Sequence, residues 1–137
     1  MVILSIWDNM FVYTGAYYIL AIVSIVVFLA VFEIITKYDD WKEIKEGNFS
    51  VAMATGGKIL GISIIMGFSI YHNDNLWDTF VWGAYGFLLQ LIAYYLFEFF
   101  TPRFKIDEEI KQDNRAVGLL SFLISVSLSI VIGASIT

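Results

Sequence analysis

Residues 32–36 read Phe-Glu-Ile-Ile-Thr, and residues 97–101 read Phe-Glu-Phe-Phe-Thr. A second pair of similar stretches follows, Glu-Ile-Lys-Glu-Gly-Asn at 43–48 and Glu-Ile-Lys-Gln-Asp-Asn at 109–114. An offset of 65 to 66 residues in a chain of 137 indicates two tandem copies of one unit. Each copy reads as an apolar segment, a short charged segment and a second apolar segment.

The apolar segments predict membrane spans. The chain is 59% hydrophobic with a mean hydropathy of +0.77, whereas soluble domains are about 45–50% apolar. Four runs reach the roughly 20 residues that a bilayer requires, at about 11–36, 51–71, 79–101 and 116–136. The sequence therefore predicts an all-α, four-helix transmembrane bundle. Residues 1–72 form the first two-span repeat and residues 73–137 the second, within one integral membrane domain.

The basic residues predict the orientation of these spans. Seven of the eight Lys and Arg residues lie at 37–45 or 103–115, and the eighth is Lys58. Short loops rich in Lys and Arg remain on the cytoplasmic side. We therefore expect the loops at 37–50 and 102–115 to be cytoplasmic, both termini to be extracytoplasmic, and the two repeats to run parallel. Both loops also carry acidic residues, so the sequence predicts no nucleic-acid partner.

Three charged residues fall inside the predicted spans. Glu33 and Glu98 lie near the cytoplasmic ends of spans one and three, and Lys58 lies deeper in span two. An unpaired charge at such depth is costly, and a lysine can extend toward the nearer surface. We expect these residues to form an intramembrane charge cluster. It is either an ion pair that holds the two halves together or a polar group that carries or senses a small ion.

Two asparagines, Asn48 and Asn114, directly precede spans two and four. Asparagine is a favoured helix N-cap, so capping is one interpretation. The other is a repeat-related polar site that binds a ligand.

Small residues follow a regular spacing in spans two and four. Gly57 and Gly61 form a GxxxG pair, and span four contains a ladder of small residues at four-residue spacing: Ser121, Ser125, Ser129 and Gly133. Such faces let helices approach closely. The pattern predicts helix packing, within the bundle or between subunits. The alternative is a serine-lined path through an oligomer.

Tyr38, Trp41, Ile44 and Lys45 fall at helical spacing in the first loop. This stripe predicts a short amphipathic helix in the membrane interface. Docking of a cytoplasmic partner is the functional alternative for the same residues.

The residues needed for common enzyme chemistry are scarce. The chain has no cysteine and one histidine, His72, which lies near Asp74 and Asp78 in a turn. One histidine and two aspartates on a turn are a poor ligand set for a transition metal. The sequence predicts no catalytic residues, no metal, no cofactor and no enzymatic activity.

Two related stretches of the sequence are distinctive. The first runs from Ile44 to Lys58 and includes Gly-Asn and the following Val-Ala-Met-Ala-Thr-Gly-Gly-Lys, and the second is its degenerate counterpart, Asp-Asn-Arg-Ala-Val-Gly at 113–118. Together they resemble the YshE/YjfL-like family of small bacterial membrane proteins. The resemblance covers essentially the whole chain. It implies a four-span protein built from two copies of a domain of unknown function, and a multi-pass location in the bacterial plasma membrane. It implies no catalytic residues.

Two functions are expected from these features. The first is a non-enzymatic membrane subunit, surrounded by lipids, that forms a homo-oligomer or binds a membrane or cytoplasmic protein partner. The alternative is a small ion or proton channel or transporter that uses Glu33, Glu98 and Lys58.

Overall fold

A computed structural model describes residues 8–36, 38–100 and 105–136. These residues form helices and no strand, with the order α1 Met10–Ile35, α2 Asp40–Lys45, α3 Phe49–His72, α4 Leu76–Phe100, α5 Ile106–Lys111 and α6 Arg115–Ser135. Helices α1, α3, α4 and α6 are each long and apolar enough to cross a membrane. The prediction of an all-α, four-helix membrane bundle is confirmed. The helix ends lie within three residues of the predicted spans.

The contact between α3 and α6 is the most extensive in the bundle. The two helices run in the same direction, because Ser50 lies against Gly118 near their starts and Phe68 lies against Gly133 near their ends. A Cβ atom at Gly118 would lie 2.7 Å from the Cα of Ser50. The glycines therefore permit a backbone approach that a larger residue would prevent, and the helices gain van der Waals contact.

Helices α1 and α4 pack against α3 through an apolar core. Phe28 and Phe32 of α1 meet Ile62 and Met66 of α3 and Phe87 of α4. The rings of Phe28 and Phe87 stack with their centroids 4.4 Å apart, an arrangement that aromatic pairs favour. Helix α3 is thus the central and most buried of the four spans.

The turn between α3 and α4 joins the helices with paired polar groups. The Ser69 hydroxyl donates to the carbonyl of Thr79 at 2.6 Å, and the side-chain amide of Asn73 donates to the carbonyl of Ser69 at 2.8 Å. The Tyr13 hydroxyl of α1 donates to the carbonyl of Asp74 at 2.7 Å. These bonds satisfy polar groups that would otherwise be costly in the bundle.

The two connectors, α2 and α5, end with the same local geometry at the opposite end of the bundle. Asn48 is the N-cap of α3, and its Oδ1 accepts from the amide of Val51 at 3.0 Å. Asn114 caps α6 in the same way, accepting from the amide of Val117 at 3.4 Å. The residue before each asparagine, Gly47 or Asp113, has a positive φ, which reverses the chain between the connector and the span.

Hydrogen bonds from residues at the start of α3 to the second connector also join the two connectors. The Nδ2 of Asn48 donates to the carbonyl of Lys111 at 2.8 Å, and the amide of Ser50 donates to Oδ1 of Asp113 at 2.9 Å. Beneath these bonds lies a buried cluster of apolar residues: Tyr38, Val51, Ala54, Ile110 and Val117. We call the surface formed by residues 38–48 and 105–114 the connector face.

The amphipathic helix predicted in the first connector is present as α2, but its inner side differs from the predicted stripe. Asp40 is 1% exposed, whereas Trp41 is 52% exposed. The helix therefore turns a carboxylate, rather than the tryptophan, into the protein.

Candidate functional site at Lys58

Lys58 places a buried cation inside the bundle. Its side chain is 3% exposed, and its Nζ lies 5.4 Å from the ring centroid of Phe32 and 5.8 Å from those of Tyr38 and Tyr94. The lysine thus extends from α3 toward the connector end, in the direction that helical side chains tilt. Three aromatic faces offer the ammonium favourable electrostatic contact with their π-systems.

Two buried aspartates from the connectors accompany this cation. Asp40 accepts a hydrogen bond from the Thr55 hydroxyl at 3.1 Å. The Tyr94 hydroxyl lies 2.7 Å from both carboxylate oxygens of Asp107, which is 3% exposed. Each connector therefore sends one acid into the bundle, and these acids offset the charge of Lys58 in a setting where an isolated ion would be costly.

Burial changes the ionisation of the connector groups. It raises the pKa of the Asp40 carboxyl, while Lys58 and the Thr55 hydroxyl act in the opposite direction. It also raises the pKa of the Tyr38 hydroxyl, and the negative charges of Asp40 and Asp107 add to this effect. Both directions follow from the cost of a charged group in a medium of low polarity.

Five buried side-chain polar atoms have no hydrogen-bond partner within residues 8–36, 38–100 and 105–136: Nζ of Lys58, Oδ1 of Asp40, Oε1 of Gln90 and the hydroxyl oxygens of Ser24 and Ser50. A buried polar atom that makes no hydrogen bond costs about 1–3 kcal/mol, and more if it is charged. Three of these atoms, on Lys58, Asp40 and Ser50, lie in the connector half of the bundle, so this region differs from the hydrogen-bonded turn at the opposite end.

A cavity of about 250 Å³ lies between α4 and α6 and reaches Lys58 and Gln90. Its other lining residues are mainly apolar and include Ala93, Phe97, Leu120, Ile124 and Leu128. Two of these, Phe97 and Leu120, are exposed on the bundle surface. The cavity therefore opens sideways, toward the region that lipid chains occupy around a membrane protein.

The structure brings the predicted charge cluster together only in part. Glu33 and Glu98 are half-buried, and Lys58 donates a hydrogen bond to neither. Four carboxylates act on the charge of Lys58, in decreasing order Asp40, Asp107, Glu33 and Glu98. The two carboxylates with the strongest effect, Asp40 and Asp107, are thus not among the site residues predicted from the sequence.

A sequence signal for the two aspartates does exist. Asp40 lies four residues before Ile44, and Asp107 lies three residues before the buried Ile110. Residues at these spacings share one helix face. The face that buries the isoleucines therefore carries the acids inward as well.

The predicted packing residues lie mostly in the contact between α3 and α6. A Cβ atom at Gly57 would lie 2.9 Å from the Cα of Phe122, and Gly61 faces Ser125 and Ser129, while Gly133 faces Phe68 of α3. Ser121, by contrast, lines the cavity.

Gln90 extends this small-residue contact to a third helix. The Nε2 of Gln90 donates to the carbonyl of Ser125 at 3.0 Å and to the hydroxyl of Ser129 at 3.1 Å. The serines thus anchor α4 to α6 inside one chain, and Ser125, like Ser121, also lines the cavity.

The fold and the buried charges define the protein as a small integral membrane protein with four spans and two structured connectors. A family profile described as Domain of Unknown Function (DUF350) matches residues 5–136, and the chain belongs to this family. It is 55% identical to the UPF0719 transmembrane protein YshE of Bacillus subtilis over 130 residues, covering 95% of this chain and 97% of that protein.

A more distant relative is the UPF0719 inner membrane protein YjfL of Escherichia coli K12. It is 25% identical over 116 residues, which cover 85% of this chain and 86% of the relative. No solved structure is significantly similar to the chain. The comparisons therefore establish the family and the membrane class of the protein.

Proposed function

We propose that the chain is a non-enzymatic subunit of the bacterial plasma membrane that binds another protein chain through its connector face. The partner is a second copy of the chain or a different membrane or cytoplasmic protein. The connectors are taken to be cytoplasmic, as their basic residues indicate. The observation that supports the proposal most directly is the folding of both connectors into one surface, linked by the bonds of Asn48 to Lys111 and of Ser50 to Asp113.

The outer side of the connector face has features suited to protein recognition. Trp41 is 52% exposed, and aromatic anchors of this kind are enriched at protein interfaces. The same face also carries exposed residues of both charge signs: Lys42, Lys45, Glu46, Lys105, Glu108 and Lys111. Mixed charges favour a complementary protein over a uniformly charged lipid or nucleic-acid surface.

Site-directed photo-crosslinking in living bacteria tests this proposal. A photoreactive amino acid at position 41 or 108 should give a protein adduct of defined mass, which mass spectrometry identifies as a second copy or another protein. The matched control is position 19, because Ile19 is 64% exposed on the apolar surface of α1 and should react with lipid. Protein adducts from position 19 alone, or lipid adducts from all three positions, would contradict the proposal.

A small ion or proton conduit remains a second candidate function. It is supported by the Lys58 ammonium and the four carboxylates that act on it, since ionisable groups within a membrane protein commonly mark ion pathways. Against it stands an apolar layer of Ile62, Ile65 and Met66, each 1% exposed. This layer lies along α3 between the Lys58 region and the polar turn at Ser69.

Flux measurements in liposomes distinguish the two candidates. A conduit should dissipate an imposed proton or cation gradient, and Lys58→Met should abolish the flux per folded protein. The control Lys42→Met removes the same charge from an exposed position and should leave the flux unchanged. Liposomes that hold their gradient with the wild-type chain would exclude the conduit and leave the subunit proposal standing.

A further inference from the structure

We infer that the cavity between α4 and α6 is a binding site for an uncharged acylglycerol, a lipid with an ester carbonyl and a free hydroxyl. The inference goes beyond the proposed subunit function, because it concerns a different surface and does not require a protein partner. It stands on two buried side chains that reach one cavity, each with a polar atom that has no hydrogen-bond partner among the described residues, and on the apolar walls that lie between them and the bundle surface.

The two unpaired groups specify the polar part of the ligand. Lys58 is 3% exposed and Gln90 is 4% exposed, and both line the cavity. The Lys58 ammonium is donor-only, whereas the free Oε1 of Gln90 is an acceptor. The Nε2 of Gln90 already donates to Ser125 and Ser129. A ligand that satisfies both atoms must therefore offer an acceptor oxygen to Lys58 and a donor to Gln90.

The position of the two groups along the bundle sets the spacing of these ligand atoms. Gln90 lies at the level of Gly61, three residues farther along α3 than Lys58. At a rise of about 1.5 Å per residue, this level is about 5 Å deeper than the Cα of Lys58, and the lysine side chain extends in the opposite direction. The gap between the Lys58 ammonium and Oε1 of Gln90 is therefore wider than this offset. A carbonyl and a hydroxyl on neighbouring carbons of a glycerol unit bridge it together with the two hydrogen bonds that they form, each about 2.8–3.0 Å long.

The surrounding charges select a neutral headgroup. Asp40 and Asp107 already offset the charge of Lys58, and Glu33 and Glu98 also act on it. An anionic lipid would meet this excess of carboxylates, and in a setting of low polarity that repulsion is strong. A cationic ammonium headgroup has no acceptor atom to offer to Lys58. An uncharged oxygen acceptor meets neither obstacle.

The walls of the cavity accommodate a hydrocarbon chain. Ala93, Phe97, Leu120, Ile124 and Leu128 present apolar side chains, and burial of each methylene contributes about 0.8 kcal/mol. The volume of about 250 Å³ exceeds the roughly 150 Å³ of an apolar cavity that binds benzene. That space holds a glycerol ester and the first part of its chain, while the remainder of the chain leaves through the side opening.

The test uses the purified full-length chain in phosphatidylcholine nanodiscs with a monoacylglycerol that carries a photoreactive group in its acyl chain. Adducts should map to the cavity walls on α4 and α6. Unlabelled monooleoylglycerol should compete, whereas oleic acid and oleylamine, which share the chain length but are charged, should compete at least about tenfold less well. A difference of this size corresponds to about 1.4 kcal/mol.

A matched pair of variants locates the site. Ile124→Trp fills the cavity and should reduce labelling at least about tenfold. The control Leu123→Trp changes the adjacent residue, which is 48% exposed on the outer surface of α6, and should leave labelling unchanged. Elution from a sizing column shows whether each variant is folded.

Three results would overturn the inference. They are equal labelling of the two tryptophan variants, adducts spread over the whole apolar surface, or stronger competition by oleic acid or oleylamine than by monooleoylglycerol. The competition series uses only the wild-type chain, so it remains decisive if Ile124→Trp does not fold. Failure of this test leaves the connector-face proposal unaffected, because no partner protein takes part in it.

Discussion

Helix α6 presents two neighbouring faces that behave in opposite ways. One face, with Gly118 and Gly133, closes against α3 so tightly that an added methyl group would meet backbone or ring atoms. The other, with Leu120, Ile124 and Leu128, borders a cavity that reaches a buried lysine. Small residues on the first face allow close packing against α3, whereas branched residues on the second face leave a cavity. We call the first face the closed side of α6 and the second face the open side.

The largest expected effect on stability comes from the buried charges that lie at the inner end of the cavity, on the open side. Lys58→Met leaves the buried Asp40 carboxyl without the positive charge that opposes its burial, and a buried charged group that loses its partner costs more than about 3 kcal/mol. We expect the variant to lose this much stability in a denaturing-detergent titration. Adding Asp40→Asn to it should recover part of the loss, because the two groups are coupled. Equal stability of the wild type and Lys58→Met would contradict the role assigned to the cluster.

The next effect concerns the closed side and uses two adjacent glycines. A Cβ atom at Gly57 would lie 2.9 Å from the Cα of Phe122, whereas at Gly56 it would meet no atom within 4 Å. Gly57→Ala should therefore lower stability by about 1–3 kcal/mol through overpacking. Gly56→Ala should raise it by up to about 1 kcal/mol, because alanine is the better helix former. The same titration measures both changes, and similar values would refute the close approach of α3 and α6.

The closed side was more accessible to sequence reasoning than the open side. Hydropathy located the four spans, and the spacing of Gly57, Gly61 and the serines marked a packing face, because both signals depend on local periodicity. The sequence did not specify that the two faces meet within one chain. That outcome depends on how the helices are arranged, which a local spacing does not contain.

The acids of the candidate site were missed for a different physical reason. Asp40 and Asp107 belong to short connectors in which charges of both signs alternate, and such segments are usually solvated. Their burial depends on the connectors folding back against α3 and α6, which bonds such as that from Ser50 to Asp113 stabilise. The intramembrane glutamates were easier to notice because they interrupt apolar runs, yet they act on Lys58 less strongly than the connector acids.

A smaller effect separates the two asparagine caps. Both side chains cap a span and donate to a glutamate of their own connector, Glu43 or Glu109. Within the residues that the structure describes, only the amide of Asn48 also donates across to the other connector, to the carbonyl of Lys111. A lost cap costs about 1 kcal/mol, and a lost hydrogen bond adds about 1 kcal/mol. Asn48→Ala should therefore destabilise the chain by about 2 kcal/mol, and Asn114→Ala by about 1 kcal/mol. A larger loss for Asn114→Ala would reverse the ranking and refute the cross-connection as its cause.

The smallest expected effect is a pH dependence of the stability of the folded state, which arises from Asp40 on the open side. Burial raises the pKa of Asp40 despite the opposing influence of Lys58 and Thr55, and the nearby Asp39 and Asp107 act in the same direction as burial. The folded chain therefore takes up a proton at this site in a pH range where the unfolded chain, with an ordinary value near 3.9, does not. Lowering the pH through that range must stabilise the folded state relative to a variant without the carboxyl.

Asp40→Asn provides that variant, because it preserves the shape of the side chain and removes its titration. Thermal unfolding of both proteins from pH 7 toward pH 4 gives the difference in melting temperature at each pH. We expect the melting temperature of the wild type to rise relative to that of the variant as the pH falls. A difference that stays constant, or that moves in favour of Asp40→Asn at low pH, would mean that the Lys58 charge outweighs burial. Asp40 and Lys58 would then both stay charged throughout that pH range, and their opposite charges would stabilise the open side as close packing stabilises the closed side.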